Sequence, residues 1–265
     1  MLRTTTVVSR DGIEVSDVTC RHERGRGDAA EHARGHYVVF VRRGCFVRSA
    51  DGAETVLDPT SAYCMRPGEE HRYDHPHSGG DDCTTVRLSE ELVASLWGGE
   101  PSLPAGPLFT SPEIDLSQRL LLAGGDEDET TERALTLCAR VLERRNTRRV
   151  ASGRPATARA RRALADGARE ALAADASRSL VELAAMLAVS PHHLSRVFRV
   201  HTGHTISRHR MRLRARAALE RLAGGEQDIA RLAAELGFAD QSHLTRVARS
   251  ETGSTPAALR RRVQR

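Results

Sequence analysis

The stretch HLTRVARSETGST, His243 to Thr255, decides the reading of this chain, because nearly the same stretch stands fifty residues earlier as HLSRVFRVHTGHT, His193 to Thr205. Eight of the thirteen aligned positions are identical. Upstream, LAAMLAV (Leu183 to Val189) aligns with LAAELGF (Leu232 to Phe238) at an offset of 49, which gives the second copy one more residue in its turn. Each copy reads as a short helix, a turn and a capped second helix, the helix-turn-helix plan. The end signals are legible: Ser190 before Pro191, then Gly203, and in the second copy Asp240 as the cap. Helical periodicity turns Leu194, Val197 and Phe198 inward and His192, Ser195, Arg196 and Arg199 outward. In the second copy Leu244 and Val247 face in, while Ser242, Thr245, Arg246 and Arg249 face out, with Gln241 at the exposed start. An outer face of His, Ser, Thr, Gln and Arg matches the donors and acceptors on base edges, with Arg suited to guanine and Gln to adenine.

A longer helix from about Thr205 to Gly224-Gly225 joins the copies. Its length of about 19 residues gives a rod of roughly 28 Å, close to the ~34 Å repeat of major-groove faces on one side of DNA. One polypeptide could therefore present two recognition helices, about 191–201 and 241–251, to successive groove segments. Arg208, Arg212 and Arg216 form a stripe on this rod, opposite Met211, Ala215, Ala218 and Leu222. The stripe reads either as a phosphate-contacting face or as a solvated helix face. Arg199, Arg208, Arg212 and Arg249 are the candidate phosphate contacts.

Charge is unevenly divided. The net charge is +5, and all 40 basic residues are Arg. Residues 1–150 hold 19 Arg and 25 acidic residues, a net of −6, whereas residues 151–265 hold 21 and 10, a net of +11. A basic half joined to an acidic half is consistent with a polyanion-binding domain attached to something else, or with solvated Arg-rich faces. The longest aliphatic or aromatic run is Tyr37 to Val41, far short of the roughly 20 apolar residues a membrane span requires. The first ten residues hold no apolar stretch of signal-peptide length. A cytoplasmic protein without a membrane partner is expected. Five cysteines without CxxC spacing argue for reduced thiols rather than a disulfide framework.

The first ninety residues read as β structure. HYVVFV ends at Gly44, CFVRS and ETVLD flank the Asp51-Gly52 turn, SAYCM runs into Pro67-Gly68, and CTTVRL follows HSGGDD. Short strands at near-regular spacing predict a small antiparallel barrel or sandwich. From about Ser89 the pattern turns helical, and Ala134, Leu135, Cys138, Val141 and Leu142 make an apolar stripe on one helix face. The fold class expected is α+β multidomain: a β-barrel and helices over 1–150, a linker at 151–156 around Gly153 and Pro155, and an all-α domain over 157–265 carrying both helix-turn-helix units.

The stretch IARLAAELGFADQSHLTRVARSETGSTPAALRR resembles the signature of the AraC/XylS family of transcription regulators. Ile229, Ala230, Gly237, Phe238, Asp240, Ser242, His243, Arg246, Gly253, Thr255 and Pro256 stand where that pattern requires them. The resemblance covers about 156–265 and extends to the N-terminal part only in layout. It implies a seven-helix DNA-binding domain, with base contacts carried over onto His192, Ser195 and Arg196, then Gln241, Ser242 and Arg246. It further implies a cupin-like effector-binding barrel with dimerisation helices, for which the 131–145 stripe is the candidate. Double-stranded DNA, a small effector, a second copy of the chain and RNA polymerase are the implied partners. The sequence departs from the pattern where Leu244, Ala248 and Leu259 replace frequent aromatics and His192 replaces a Trp of some members, which predicts a lighter second core. His243 reads as a cap for its own helix rather than a base contact.

PGEEH, up to His71, resembles part of the second cupin motif, but the HxH pair of the first is missing. A metal would need three or four convergent ligands. The candidates are His32, His36 and His71, with His75, His77, Cys64 and Cys83 nearby in sequence. We expect polar loop histidines and no metal or other cofactor. Cys138 belongs to its helix stripe, while Cys20, Cys45, Cys64 and Cys83 leave a thiol- or metal-responsive regulator as an alternative. A cupin-type metal-dependent enzyme with an accessory DNA-binding tail is the other. No nucleophile triad, phosphate loop or carboxylate pair marks an enzyme, and none is expected.

Overall fold

A computed structural model describes residues 2–21, 25–26, 30–97, 103–122, 126–143 and 155–263. Most of the expected 151–156 linker lies outside the described residues, and Pro155 and Ala156 already belong to a helix. Pro155 is the first residue of that helix, where a missing N–H costs nothing.

The N-terminal half is a two-sheet β domain. Strands β1 (Leu2–Arg10), β2 (Ile13–Cys20), β5 (His36–Arg43), β8 (Ser61–Met65), β10 (Asp81–Leu88) and β11 (Pro107–Phe109) form one antiparallel sheet in the order β1-β2-β10-β5-β8-β11. The second sheet runs β3 (Gly25–Arg26), β9 (Glu70–His75), β6 (Phe46–Ala50), β7 (Ala53–Leu57), with β4 (Glu31–His32) also paired to β9. This is the small antiparallel two-sheet arrangement that the turn-punctuated strands predict.

Alternation along β5 shows how the first sheet is used. Val39 and Val41 share one cluster with Phe46 and Leu57 of the second sheet, together with Tyr63 and Cys83. Val38 and Phe40 point the other way, into a larger cluster with Ile114, Leu137, Cys138, Val141 and Leu142. Both faces of this sheet are covered, so YVVFV is apolar without alternation. The covering helices are α1 (Glu90–Trp97), α2 (Pro112–Leu122) and α3 (Glu127–Glu143).

This arrangement corrects one expectation. The α3 stripe does not present a dimerisation surface, since Ala134, Cys138, Val141 and Leu142 are at most 1% exposed. The apolar stripe is spent on the outer face of the barrel sheet, whose own apolar residues would otherwise meet water.

Among the described residues of the C-terminal half there are seven helices: α4 (Pro155–Ala174), α5 (Leu180–Met186), α6 (Pro191–Thr202), α7 (Ile206–Ala223), α8 (Ile229–Glu235), α9 (Gln241–Thr252) and α10 (Pro256–Val263). Two cores flank α7. Leu183, Leu194, Phe198, Ile206 and Leu213 share the first with Ala168 and Leu172 of α4. Leu222, Leu232, Phe238 and Leu244 share the second. Beside the second core, Leu116 of α2 packs with Leu219, Ala248 and Leu259. No described helix is long and apolar enough to cross a membrane.

Candidate nucleic-acid interface

Each helix-turn-helix unit is built by local chemistry that the sequence repeats. The Ser179 Oγ accepts from the Glu182 N–H at 3.2 Å, and the Glu182 carboxylate accepts from the Ser179 N–H at 2.6 Å, a closed capping box on α5. The Ser190 Oγ accepts from the His193 N–H at 3.2 Å and starts α6, and Asp240 does the same for the His243 N–H at 2.6 Å to start α9. Both helices end on a left-handed glycine, Gly203 with φ 78° and Gly253 with φ 71°. At both ends a threonine hydroxyl donates back one turn, Thr202 to the Phe198 carbonyl and Thr252 to the Ala248 carbonyl. His243 Nδ1 accepts from the Ala239 N–H at 3.2 Å, so this ring closes the turn before α9, as its position in the sequence suggests.

The same helices carry the predicted base-reading residues. His192, Arg196 and Arg199 on α6 are exposed, with Ser195 half-buried beside the wholly buried Leu194. Gln241, Ser242, Arg246 and Arg249 on α9 are exposed above the equally buried Leu244. Amphipathic packing fixes the orientation, because Phe198 and Leu244 can be removed from water only if the polar edge turns outward. The rod between them, α7, has 18 residues, about 27 Å at ~1.5 Å per residue.

The basic stripe of α7 divides. Arg208 remains exposed, with its guanidinium 4.0 Å from Glu251, and stays a candidate phosphate contact. Arg212 does not. It is 1% exposed and donates to the Thr110 carbonyl at 2.5 Å, between the rod and the N-terminal half. Burial, and then the neighbouring Arg216, pull its pKa down to about 10. Arg216, also buried, pairs with Asp115 and donates to Thr110 Oγ1 at 3.1 Å. The stripe therefore serves neither phosphates nor solvent at these two positions. It meets the Asp115 carboxylate on α2, because burying a guanidinium requires a partner.

A second charged junction lies alongside. Arg169 of α4 is wholly buried and donates to Asp58 Oδ2 at 3.0 Å, the Val56 carbonyl at 2.8 Å and Ser61 Oγ at 2.5 Å. His209 of α7 places Nε2 3.5 Å from the same Asp58 oxygen. Burial raises the Asp58 carboxyl, but Arg169 and His209 outweigh it and hold the group well below its usual range. Burial lowers the pKa of His209. Asp58, Thr110, Asp115 and Arg169 carried no motif. The opposite net charges of the two halves were the one available signal of this junction.

The first three metal candidates named from the sequence, His32, His36 and His71, are not brought together. Glu31 pairs with His71 and His32 with Glu70 along β4 and β9, so His32 and His71 alternate to opposite faces of that ribbon. His71 is buried near Glu31, His32 is exposed, and His36 opens β5 in the other sheet.

Comparison with known proteins agrees with the local geometry. Residues 183–262 match a family profile described as a helix-turn-helix domain. The arabinose operon regulatory protein of Escherichia coli (strain K12) is 27% identical over 236 residues, which cover 86% of this chain and 80% of that protein. The chain therefore carries a helix-turn-helix domain and is similar over most of its length to that regulatory protein. Among solved structures, ToxT from Vibrio cholerae O395 covers 95% of this chain with 98% of its own, at 9% identity and a TM-score of 0.37. A cupin superfamily protein from Desulfitobacterium hafniense DCB-2 aligns 78% of its chain with 34% of this one, at 15% identity and a TM-score of 0.29.

Proposed function

We propose that the chain binds specific double-stranded DNA through α6 and α9, each entering one of two successive major-groove segments, and that the barrel couples a small effector to this binding. The observation that carries this reading is the repeated unit itself: two capped helices with matching exposed polar edges, joined by one helix of nearly groove-repeat length. His192, Ser195 and Arg196 read one segment and Gln241, Ser242 and Arg246 the other, while Arg199, Arg208 and Arg249 hold phosphates. Between the barrel sheets, the Tyr63 and Tyr73 hydroxyls lie 3.0 Å apart and the Arg48 guanidinium sits 5.1 Å over the Tyr63 ring. These groups, set among Val39, Val41 and Phe46, are the candidate contacts for the effector. A second copy of the chain and RNA polymerase are the further partners of this reading.

The test is a mobility-shift and footprinting series against DNA upstream of the gene. Arg196→Ala and Arg246→Ala are each expected to cost about 1–3 kcal/mol of specific binding and to relax preference within one half of the footprint. Equal loss on specific and random DNA would turn them into phosphate contacts. Absence of any salt-sensitive, sequence-selective binding would remove the proposal.

A further inference from the structure

The barrel holds a constellation that the DNA-binding reading does not use. Cys20 ends β2, Asp81 begins β10, and His75 ends β9 in the other sheet. Cys20 and Asp81 are direct cross-strand partners, so their side chains share one face of the sheet. Cys83 lies two residues beyond Asp81 on that same face and belongs to the cluster between the sheets. Tyr73, in the same cluster, lies two residues before His75, which turns His75 toward the opposite sheet. The three side chains therefore converge in the space between the sheets, at one end of the barrel. One ligating atom from each of Cys20, His75 and Asp81 falls within 4.8 Å of the other two.

We propose that Cys20, His75 and Asp81 form a binding site for a single divalent metal ion of the zinc class. A thiolate, an imidazole and a carboxylate are the donor set that a borderline-soft cation takes. Bond lengths of about 2.0–2.3 Å put ligand atoms roughly 3.3–3.8 Å apart in a tetrahedron, so the observed spacing closes with side-chain adjustment of about 1 Å. As the Cys20 Sγ–metal bond forms, the thiol proton passes to solvent. Thiolate and carboxylate then offset the two positive charges, leaving a neutral site with a fourth position for water.

Three features hold this geometry. Asp82, next to Asp81, is engaged by Arg21 at 2.6 Å and Arg43 at 2.6 Å, which leaves Asp81 turned to His75 Nε2 at 2.8 Å. The Cys83 thiol donates to the other Asp81 oxygen at 3.4 Å and orients the carboxylate, as outer groups do around metal ligands. Gly80, with φ 68°, lies so close to the end of β2 that a Cβ there would stand 2.0 Å from the Cys20 carbonyl oxygen. The β9–β10 turn is thus pressed onto Cys20 backbone to backbone, which sets His75 and Asp81 against the thiol.

The experiment is metal titration of the full-length chain after chelator treatment, without DNA, so that its outcome is separate from that of the DNA-binding reading. Co2+ is the probe. A thiolate-to-cobalt charge-transfer band should appear, saturate at one equivalent and disappear when Zn2+ is added. Cys20→Ser should abolish the band, and His75→Gln and Asp81→Asn should each weaken binding at least about 10-fold. Cys138→Ser, on the far side of the sheet, should change nothing. A folded wild-type chain that binds no stoichiometric Co2+ or Zn2+ overturns the proposal, whatever the variants do. A band that survives in Cys20→Ser, or is lost in Cys138→Ser, overturns it as well.

Discussion

The two helix-turn-helix units share caps, glycine stops and most of their inner residues, yet they are anchored in different ways. The first packs on α4, whose Arg169 is locked by charge to Asp58 at the edge of the barrel. The second has the smaller residues Ala248 and Leu259 in its core, and Leu116 from α2 fills the remaining space. The first unit reaches the N-terminal half through the buried Arg169–Asp58 pair, whereas the second adds apolar packing on α2 beside the Arg216–Asp115 pair of the rod. Repeated sequence therefore fixes the reading heads, while unrepeated residues decide how each is coupled to the barrel.

The largest expected effect is at the charged anchor. Arg169→Met leaves Asp58 buried without its guanidinium and should destabilise the chain by about 3–5 kcal/mol in urea unfolding. Leu116→Ala should cost about 2–4 kcal/mol in the same assay, with proteolytic cleavage rising first in the α8–α10 region. If the two variants opened the same unit, the difference drawn between the anchors would fail.

Acid should discriminate the anchors next. His209 faces Asp58, Arg169 and Arg212, and burial holds its folded pKa below the ordinary 6.5. A group with a lowered folded pKa supports the fold fully above its unfolded value and loses that support as pH falls. Stability should therefore be constant above pH about 6.5 from this source and decline below it. His209→Gln should flatten that decline in pH-dependent thermal melts, and an unchanged profile would remove His209 from the account. The depressed Asp58 carboxyl adds its own loss at lower pH, below the ordinary carboxylate value of 3.8.

The smallest effect lies in the turns. Ala188 of the first unit and Gly237 of the second occupy equivalent positions, both left-handed, with φ 53° and 72°. A Cβ is strained there, so Ala188→Gly should stabilise by up to about 1 kcal/mol and Gly237→Ala should destabilise by about 1–2 kcal/mol. Opposite signs in thermal melts would sharpen the equivalence of the two turns, and equal signs would break it.

Legibility followed range. Caps and stops at Ser190, Asp240 and Gly203 depend on residues within one turn of the chain, so local spacing sufficed. The exposed edges of α6 and α9 followed from a period of 3.6 and a buried Leu in each. The role of α3 was misjudged because an apolar stripe announces burial without naming its partner, and the partner is the outer face of β5 and β10. Arg212 was misjudged for the opposite reason: a charged stripe announces solvent or phosphate unless carboxylates are waiting. Here Asp115 waits on a helix about a hundred residues away in sequence. Cys20, His75 and Asp81 span two sheets, and only strand register brings them together.

The sequence by itself determined the duplicated reading unit, its end signals, its outward polar edge and the rod between the copies, since each depends on neighbours a few residues apart. Tertiary structure decided which basic residues remain free for a polyanion and which are consumed inside the protein. It also decided which apolar stripe covers the barrel and which thiol meets an imidazole and a carboxylate. The reason is physical: burial of charge and of apolar area is a property of pairs of surfaces, and the second surface of each pair lies far along the chain.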